Sequence, residues 1–397
     1  MRRPDAIVIG AGAIGASIAH NLAKRGLSVQ ILEAEGVASG ATGAAEGLVG
    51  SVAKRKSGSV TDIVVKSFAM FPDLVEELGG SIEFCRRPGL MVVEDESHVD
   101  LLKRFAEKRR GEGLRIEWLD RKDALEAEPL LSPRIAGALI TPDQGAVNPI
   151  QLAFAYLRAA RKNGTEITIP ARVTELKHRE NAITEVVTTA GTYSAGIVIN
   201  AAGAAAEQVA AFCGTRLEII PKRAQMIVSE AIPEKTLRNT IYTGANVVVG
   251  LDPISLEFED MPADETRRRA ELQNPWQLSS FTQTANGNVL FCGGFGFVGP
   301  TRKADPVTMA TMMRNIAAVI PSFSSLRILR GWAGLEPCTP SNLPAIGFAP
   351  DLSNFVLAAG HGNAGVMMSP FTGQMVADAI LQSRVPASSD APMCTYQ

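Results

Sequence analysis

The start of the chain alternates short apolar runs with a glycine-rich turn. Residues 5–9 form an apolar run typical of a buried parallel strand, and a second such run covers residues 28–32 and ends at Glu33. A helix that stops at Gly26 is predicted between them, from apolar residues at helical spacing: Ile14, Ile18, Ala19 and Leu22. The pattern therefore predicts a strand, a helix and a second strand that is parallel to the first.

A further set of elements is predicted in the middle of the chain. Asn148 and Pro149 are typical of the first residues of a helix, and Asn163 followed by Gly164 is typical of its end. The predicted apolar stripe of this helix is Ile150, Phe154 and Leu157. Strands are then predicted at residues 166–169, 182–188 and 197–200.

The last third of the chain adds a hairpin and a capped helix. Asn286 and Gly287 lie between two strand-like runs and predict a hairpin turn. Asp305 is the predicted cap of a helix over residues 306–320, which Pro321 ends. Strands and helices therefore alternate in some parts of the chain, whereas strands follow one another directly in others.

Composition restricts the classes of function. With 397 residues, 46% of them hydrophobic, the chain can form two or three domains around a large core. The 39 basic residues nearly balance the 41 acidic ones, which argues against nucleic acid and favours a small-molecule partner. The five cysteines include no C-x-x-C pair, so no metal site is expected and a reducing, cytoplasmic location is predicted. No apolar run approaches about 18 residues, so direct membrane insertion is not expected, although peripheral attachment through partners stays open.

The turn after the first predicted strand has the spacing G-x-G-x-x-G. Gly10 permits the tight turn, Gly12 lets a pyrophosphate approach the backbone, and Gly15 lets the helix pack closely on the strand. The phosphates would lie at the positive end of the helix, and Glu33 would bind the hydroxyls of the adenosine ribose. This arrangement predicts dinucleotide binding, the alternative being an ordinary glycine-rich turn.

Residues 36–50, GVASGATGAAEGLVG, help to distinguish FAD from NAD. An NAD-binding domain would normally continue with strands and helices at this point. A run of glycine, alanine and serine has few side chains to pack, so it suits a backbone that lies against a flat or charged ligand. The segment therefore favours FAD, the alternative being a flexible linker.

Several segments together resemble the FAD-dependent oxidoreductases of the D-amino acid oxidase type, a family that includes glycine oxidase, sarcosine oxidase and D-amino acid dehydrogenases. The segments are the N-terminal fingerprint with ASGATGAAEGL, ARVTEL, IVINAAGAAAEQVA, WAGLEPCTPSNLPAIG and FVLAAGHGNAGVMMSPFTGQMVADAI. The middle section, with EAEPLLSPRIAGALITPDQGAVNP, is most similar to the flavin subunits of hetero-oligomeric opine oxidases and of proline or hydroxyproline dehydrogenases. This similarity implies further subunits of an electron-transfer complex as partners.

The resemblance implies a mixed α/β (α+β) fold, in which a Rossmann-like FAD-binding domain is joined to a mostly antiparallel-sheet substrate domain. The FAD-binding domain is predicted to be discontinuous, over residues 1–51, 141–215 and 327–397. The substrate or cap domain is predicted over residues 52–140 and 216–326. The acidic, arginine-rich stretch 251–277 resembles an insertion within it, as a mobile loop or a partner contact.

The resemblance also implies which residues contact a non-covalent FAD. They are Gly10, Gly12, Ala13, Ile14, Gly15, Glu33, Ala34, Ser39, Gly40, Ala41, Thr42, Glu46, Gly47, Leu48, Val173, Ala201, Ala202, Gly203, Gly334, His361, Gly362, Asn363, Ala364, Gly365 and Val366. A buried strand over residues 354–359 leads into GHGNAG, whose backbone amides would favour negative charge on the pyrimidine edge of the flavin. His361 is either a direct contact there or a structural loop residue.

By the same resemblance, an unprotonated substrate amine loses its α-hydrogen as hydride to the flavin N5, and the resulting imine hydrolyses. The protein positions the substrate, excludes water and stabilises charge. The candidate catalytic residues are His361, Glu336 and Tyr242, with Trp332 and Trp276 as further candidates for the pocket.

Glu336 stands where relatives such as glycine oxidase have an arginine that clamps the substrate carboxylate. Three alternatives follow: the substrate presents a cationic group to Glu336, Glu336 forms a salt bridge with a nearby arginine, or that arginine replaces the clamp. The candidate arginines are Arg330, Arg87 and Arg223. Cys338 is expected to be a small buried hydrophobe and not an attachment point for flavin.

The predicted function is FAD-dependent oxidation of the C–N bond of a D-amino acid, a proline or hydroxyproline, or an opine-like amine, by the flavin subunit of a multi-subunit dehydrogenase. The segment VLFCGGFGFVG has no lysine of the kind with which oxidases activate oxygen, which favours a dehydrogenase. A stand-alone, peroxide-producing enzyme of the glycine or sarcosine oxidase type is one alternative. The other is a flavin-binding subunit without catalytic activity.

Overall fold

The computed structural model describes residues 3–50, 59–79, 82–243 and 276–383, and of residues 59 and 276–278 it describes the backbone alone. The strands within these ranges are β1 Ala6–Ile9, β2 Val29–Leu32, β3 Leu48–Val49, β4 Cys85–Arg86, β5 Gly89–Val93, β6 Glu117–Asp120, β7 Gly137–Thr141, β8 Gly145–Ala146, β9 Glu166–Thr168, β10 Val173–Arg179, β11 Ala182–Thr188, β12 Gly191–Tyr193, β13 Ile197–Asn200, β14 Ile220–Ala231, β15 Thr240–Tyr242, β16 Trp276–Gln283, β17 Asn288–Gly296, β18 Ile328–Cys338, β19 Ala345–Phe348 and β20 Phe355–Ala359. The α-helices are α1 Ala13–Lys24, α2 Ser59–Glu77, α3 Val99–Gly111, α4 Arg121–Ala127, α5 Pro149–Lys162, α6 Ala206–Ala211, α7 Pro306–Val319 and α8 Gly365–Ser383.

Six strands form the sheet that holds the glycine turn, in the order β19-β20-β13-β1-β2-β9. All neighbours are parallel except β19 and β20. Every residue of β1 is buried, as its continuous apolar run predicts for a strand that is covered on both faces. The predicted strand–helix–strand unit is confirmed, and Ile9 at the end of β1 lies opposite Asn200 at the end of β13. The turns that follow these two strands are therefore neighbours at the carboxyl edge of the sheet.

Helices α1, α2, α5 and α8 cover one face of this sheet and share one apolar core with it. The start of α5 is confirmed, because Pro149 is its first residue and the Asn148 side chain accepts a hydrogen bond from the Gln151 N–H at 3.1 Å. The predicted apolar stripe of α5 is wrong in part. Ile150 and Phe154 are 42% and 41% exposed, whereas Leu157 is buried.

The buried face of α5 is set by its packing against α1. Tyr156 is fully buried there and lies next to His20 of α1, with ring centroids 5.7 Å apart. Leu152 and Ala160, one turn before and after Tyr156, are buried on the same side. Since the helix has apolar residues on more than one side, its periodicity does not identify the side that meets α1.

Two small antiparallel sheets flank the six-stranded sheet, in the orders β10-β11-β12 and β3-β8-β4. The predicted strand at 182–188 is confirmed as β11, and it lies in the first of these small sheets. Leu176 and Val186 of that sheet pack against Ile7 on the face of the six-stranded sheet that the four helices do not cover.

Eight strands form the second large sheet, in the order β18-β14-β17-β16-β15-β5-β7-β6. Its neighbours are antiparallel except β15 and β5, which agrees with the predicted mostly antiparallel sheet. The predicted hairpin is confirmed as β16 and β17, and Gly287 has a φ of +85° in its turn. Asp305 caps α7 as predicted, since its side chain accepts a hydrogen bond from the Val307 N–H at 3.1 Å.

The division of the chain between the two large sheets differs from the predicted domain ranges at two places. Residues 328–338 form β18, which pairs with β14 along the eight-stranded sheet, although they fall in a range predicted for the FAD-binding domain. Residues 59–77 form α2, which packs against α8 in the other core, although they fall in the predicted substrate domain. Long-range packing decides both placements, and the domain boundaries themselves stay a prediction. The predicted insertion at 251–277 lies outside the described residues, apart from its last two.

Candidate active site

A cavity of about 640 Å³ opens along the carboxyl edge of the six-stranded sheet and extends to the eight-stranded sheet. Gly10, Glu33, Ala201 and Gly360, which follow strands β1, β2, β13 and β20, line its first part. Residues of β14, β17 and β18 line its far part. A volume of this size is within the range of about 300–1,000 Å³ that is typical of ligand sites.

Two glycines of the turn have the packing roles that the sequence predicts. Gly10 has a φ of +108°, and a Cβ there would lie 2.5 Å from the carbonyl oxygen of Ala201. A Cβ on Gly15 would lie 2.0 Å from the carbonyl oxygen of Gly10, so any larger residue would force α1 away from the turn. Gly15 accordingly lies behind the cavity wall, whereas Gly10 and Gly12 line the cavity.

Glu33 holds the turn together and faces the cavity. Its Oε2 accepts a hydrogen bond from the Ala11 N–H at 2.8 Å, and its Oε1 accepts one from the Glu35 N–H at 2.8 Å. The side chain is buried and yet lines the cavity. Oε1 also accepts a hydrogen bond from the Gly36 N–H at 3.2 Å, so three backbone amides fix the carboxylate at the position predicted for the ribose.

The small-residue segment is a hydrogen-bonded turn and not a flexible linker. Within it, the Gly43 N–H donates to the carbonyl oxygen of Ala38 at 2.8 Å. The Thr42 hydroxyl oxygen accepts a hydrogen bond from the Ala13 N–H at 3.0 Å, which places the segment directly over the N-terminus of α1. A Cβ on Gly47 would lie 2.1 Å from the carbonyl oxygen of Val147, so the close approach of the two backbones requires glycine there.

Small residues also form the floor of the far part of the cavity. Ala224 of β14 lies directly opposite Gly334 of β18, and both line the cavity. A Cβ on Gly334 would lie 2.5 Å from the Cβ of Ala44 in the small-residue segment. Tyr242 of β15, two strands beyond β17, also lines the cavity and donates a hydrogen bond to Gln144 Oε1 at 2.9 Å.

An ion pair lies next to this floor. Lys222 is directly opposite Glu336 in the same ladder, and its Nζ is 2.7 Å from Glu336 Oε2. The two side chains are only 18% and 13% exposed, and both line the cavity. Burial is the largest single influence and opposes the charge of Lys222, but the Glu336 carboxylate together with Cys338 and Cys292 more than offsets it, so the pKa of Lys222 is raised.

The three arginines proposed as substitutes for a clamp lie elsewhere. Arg87 donates to the Thr282 hydroxyl at 3.0 Å, and Arg223 donates to the carbonyl oxygen of Lys303 at 3.1 Å. Arg330 stacks on the Trp332 ring, and neither of those two residues lines the cavity. Adjacent side chains of a strand point to opposite faces, which is why Arg223 points away where its neighbour Lys222 points in. The salt-bridge partner of Glu336 is thus Lys222, and the alternative of a salt bridge with one of these arginines is wrong.

His361 and Cys338 are both buried and line the cavity. Their backbones form a β-bridge where the end of β18 meets the turn after β20. Burial lowers the pKa of His361 to about 4, so its imidazole is neutral at pH 7, and its Nε2 lies 3.3 Å from the Thr372 hydroxyl. Burial raises the pKa of Cys338 to about 11, which keeps it as a thiol. This supports the expectation that Cys338 is an inert, buried residue.

The burial of His361 has a consequence for stability that can be measured. Because the pKa of His361 is about 4 in the folded protein, against an ordinary 6.5, the unfolded chain binds a proton first as the pH falls. The contribution of His361 to the free energy of unfolding is therefore fully present above pH 6.5 and decreases between pH 6.5 and pH 4. We expect the protein without FAD to lose about 2 kcal/mol through this group between pH 7.5 and pH 5.

The measurement is urea unfolding at the two pH values for the wild type and for His361→Asn. The variant should show a smaller difference in unfolding free energy between the two pH values. His178→Asn, which alters an exposed histidine on β10, is the matched control and should behave as the wild type. Equal pH dependence in the wild type and His361→Asn would contradict the prediction.

The structure brings nearly all of the predicted site residues to this one cavity. Three of the predicted site residues do not line the cavity: Gly15, Trp332 and Ala364. The side chain of Trp276 lies outside the described residues. The remaining predicted residues that line the cavity are Gly10, Gly12, Ala13, Ile14, Glu33, Ala34, Ser39, Gly40, Ala41, Thr42, Glu46, Gly47, Leu48, Val173, Ala201, Ala202, Gly203, Tyr242, Gly334, Glu336, His361, Gly362, Asn363, Gly365 and Val366. Their direct contacts with FAD stay a prediction.

Two groups of charged cavity residues escaped the sequence analysis. Lys222 is one of them. The alternation of side chains along the strand-like run IIPKRAQMIV could have indicated it, because Lys222 and Arg223 must point to opposite faces of the sheet. The other is a cluster of Glu35, Arg172 and Arg302 beside the Glu33 end of the cavity. Arg172 and Arg302 lie 2.9 Å and 3.5 Å from Glu35, and no short motif brings these three residues together.

The shape and the groups of the cavity fit FAD. At one end, Gly10 and Gly12 line the cavity at the start of α1, beside the fixed Glu33 carboxylate, as a pyrophosphate and a ribose require. At the other end, the floor of Ala224 and Gly334 leaves room for a flat ring. Among the described residues no cluster of possible metal ligands occurs, and no helix there has the length and apolarity needed to cross a membrane.

Comparison with known proteins gives the same cofactor. Residues 5–379 match the protein family described as FAD dependent oxidoreductase. Glycine oxidase of Geobacillus kaustophilus (strain HTA426) is 28% identical over 386 residues, which cover 95% of this chain and 93% of that protein. The hydrogen cyanide synthase subunit HcnC of Pseudomonas aeruginosa is 25% identical over 433 residues, which cover 97% of this chain and 94% of that protein.

Solved structures agree with these matches. The crystal structure of glycine oxidase from Geobacillus kaustophilus has a TM-score of 0.83 and 26% identity, and the match covers 96% of this chain and 95% of that one. The crystal structure of L-proline dehydrogenase from P. horikoshii has a TM-score of 0.81 and 25% identity, covering 96% and 94% of the two chains. Because the family match spans nearly the whole described fold, this chain belongs to the FAD-dependent oxidoreductase family and is an enzyme that uses FAD.

Proposed function

We propose that this enzyme oxidises the C–N bond of an amino acid or a secondary amine, with FAD as the electron acceptor. The observation that carries the proposal is the Lys222–Glu336 ion pair beside the small-residue floor, since its ammonium can hold a carboxylate and its carboxylate can accept a hydrogen bond from a neighbouring amine. Glycine oxidase and L-proline dehydrogenase, whose folds this chain shares, act by their names on amino acids.

The residues of the chain contribute position and environment to this reaction. FAD, when bound, supplies the acceptor for two electrons. The floor of Ala224 and Gly334 lets a substrate approach a flat ring closely, and the burial of the ion pair excludes water from its charges. His361 is neutral at pH 7 and is a weak base, because burial lowers its pKa to about 4. We therefore place it as a packing and orienting residue and not as the base that takes a proton from the amine.

The subunit role is a further part of the proposal. HcnC is by its name a subunit of a larger synthase, which supports the proposal of a flavin subunit that passes electrons to a partner. We propose the cytoplasm as the location of this complex. One observation removes the argument from the sequence against the alternative of a stand-alone oxidase. Although β17 has no lysine, Lys222 of the neighbouring strand supplies a cation inside the cavity, so the missing lysine no longer argues against a reaction with oxygen.

Anaerobic mixing of the FAD-loaded enzyme with a panel of amines tests the proposal. The panel contains D-amino acids, N-alkyl glycines, proline, hydroxyproline and opines, and we expect at least one of them to bleach the flavin absorbance. The 2-hydroxy acids with the same carbon skeletons are the matched controls and should leave the flavin oxidised. If the amines do not reduce the flavin and the hydroxy acids do, the proposed C–N oxidation is wrong.

Admitting air to the reduced enzyme then separates the two alternatives for the acceptor. Reoxidation within seconds, with formation of hydrogen peroxide, identifies a stand-alone oxidase. Reoxidation over many minutes, made fast by an artificial electron acceptor, identifies a dehydrogenase subunit. A protein that stays colourless after FAD is added would contradict both.

A further inference from the structure

The ion pair of Lys222 and Glu336 is an ordered feature of the cavity wall. The two residues are direct partners in the antiparallel ladder of β14 and β18, where side chains on one face lie close enough to interact. Lys222 Nζ also lies 5.0 Å from the centre of the Phe295 ring, which lines the same cavity. The carboxylate on one side and the aromatic face on another fix the position of the ammonium.

The ion pair is next to the floor of the cavity on the same face of the sheet. Ala224 and Gly334 form the neighbouring pair on the same face, two residues away on each strand. At about 3.3 Å per residue, the two pairs are roughly 7 Å apart along the strands. A small molecule whose reacting carbon lies over the floor therefore has its polar end at the ion pair.

The ammonium has capacity for a ligand beyond Glu336. It carries three N–H donors, and the Glu336 oxygen at 2.7 Å can engage one of them, which leaves two for a ligand. Its charge persists at neutral and alkaline pH, because the Glu336 carboxylate raises the pKa of Lys222. Among the described residues that line the cavity, the other cations are Arg172 and Arg302, and both pair with Glu35 near the Glu33 end.

We propose that Lys222 binds the carboxylate of the substrate, and that Glu336 restricts the site to carboxylates with a cationic or hydrogen-donating nitrogen next to them. This inference rests on the proposed function, whose substrate class it narrows. A carboxylate on Lys222 comes close to Glu336, which repels it unless a neighbouring nitrogen faces Glu336. Simple carboxylates bind weakly for that reason, and dicarboxylates bind more weakly still, since none of the described residues places a second cation at this end.

Three unreactive probes test this assignment. Glycine betaine has a carboxylate next to a cationic nitrogen that has no lone pair, propionate has a carboxylate alone, and succinate has two. Each is titrated into the FAD-loaded enzyme, and binding is followed by the flavin difference spectrum and by calorimetry. For the wild type we expect the affinity to decrease from betaine to propionate to succinate. A wild type that binds succinate as tightly as betaine would overturn the charge selection.

Variants of the two residues should separate their roles. Lys222→Met should weaken the binding of betaine and propionate by about tenfold or more, as the loss of a buried charged hydrogen bond does. Glu336→Gln should strengthen propionate binding by about tenfold and remove the preference for betaine. Lys222→Arg keeps the charge and should keep most of the affinity, and Lys162→Met, at the exposed end of α5, is the matched control.

The inference is overturned if Lys222→Met binds FAD and still binds propionate and betaine as the wild type does. If Lys222→Met does not fold, Glu336→Gln decides, because unchanged affinity for propionate contradicts the proposed repulsion. The result is distinct from the test of the proposed function. If probe binding depends on Lys222 but no amine reduces the flavin, the carboxylate site is supported and C–N oxidation is rejected. If an amine reduces the flavin but Lys222→Met leaves probe binding unchanged, C–N oxidation is supported and the carboxylate site is rejected.

Discussion

Gly15→Ala is expected to abolish FAD binding and to lower the free energy of unfolding by about 3 kcal/mol. The added Cβ would lie 2.0 Å from the carbonyl oxygen of Gly10 and 3.3 Å from a methyl group of Val8, and the first of these atoms is backbone that cannot rotate away. Either α1 or the turn must move, and both carry the groups that face the cavity. The measurements are the FAD content after purification and urea unfolding of the protein without FAD.

Gly111→Ala is the matched control, since it adds the same methyl group to a helix. Gly111 is the last residue of α3, and a Cβ there meets nothing within 4 Å. Alanine is the better helix former, so stability should be unchanged or higher by up to about 1 kcal/mol. Equal behaviour of the two variants would show that close packing of α1 on the turn is not what requires Gly15.

Glu33→Ala is expected to lower the affinity for FAD by roughly 100-fold. The carboxylate accepts hydrogen bonds from the N–H groups of Ala11 and Glu35, and it is the acidic group at the position predicted for the ribose. Charged hydrogen bonds of this kind contribute about 1.5–3 kcal/mol each, and Glu33→Ala removes these two and the one from the Gly36 N–H, together with the contact to the ligand. Titration of the FAD-free protein with FAD, followed by flavin fluorescence, measures the change.

Two further variants make this test specific. Glu33→Gln keeps the shape of the side chain and one acceptor oxygen, so its affinity should lie between those of the wild type and Glu33→Ala. Glu117→Ala, on the exposed face of β6 in the eight-stranded sheet, should bind FAD normally. Full retention of FAD by Glu33→Ala would contradict the assignment of this end of the cavity to the adenosine.

The elements of the first large sheet could be predicted because each is specified by its own neighbours in the chain. The run at residues 5–9, the glycines after it and the cap at Asn148 act within a few residues, and the structure has each of them within one residue of its predicted place. The face of α5 could not be predicted in this way. Ile150 and Tyr156 are both apolar, and only the position of α1 decides that Tyr156 is the buried one.

The polar end of the cavity shows the same limit more sharply. Glu336 is recognisable in the sequence as an unusual residue in its loop, but its partner is 114 positions earlier in the chain, at Lys222. The two meet because β14 and β18 are neighbours in the sheet, in a register that sets Ala224 opposite Gly334. The nearby arginines were equally plausible partners until strand alternation and register placed them elsewhere.

The sequence by itself determined the dinucleotide turn, the cofactor and the alternation of strands and helices, because these follow from local spacing and from backbone conformations that few residues permit. Only the tertiary structure decided which side chains share the cavity, since that depends on the pairing of strands far apart in the chain. The charged residues at the proposed substrate end of the cavity show this most clearly. A carboxylate that stood alone in the sequence is, in the folded protein, one half of a buried ion pair with Lys222.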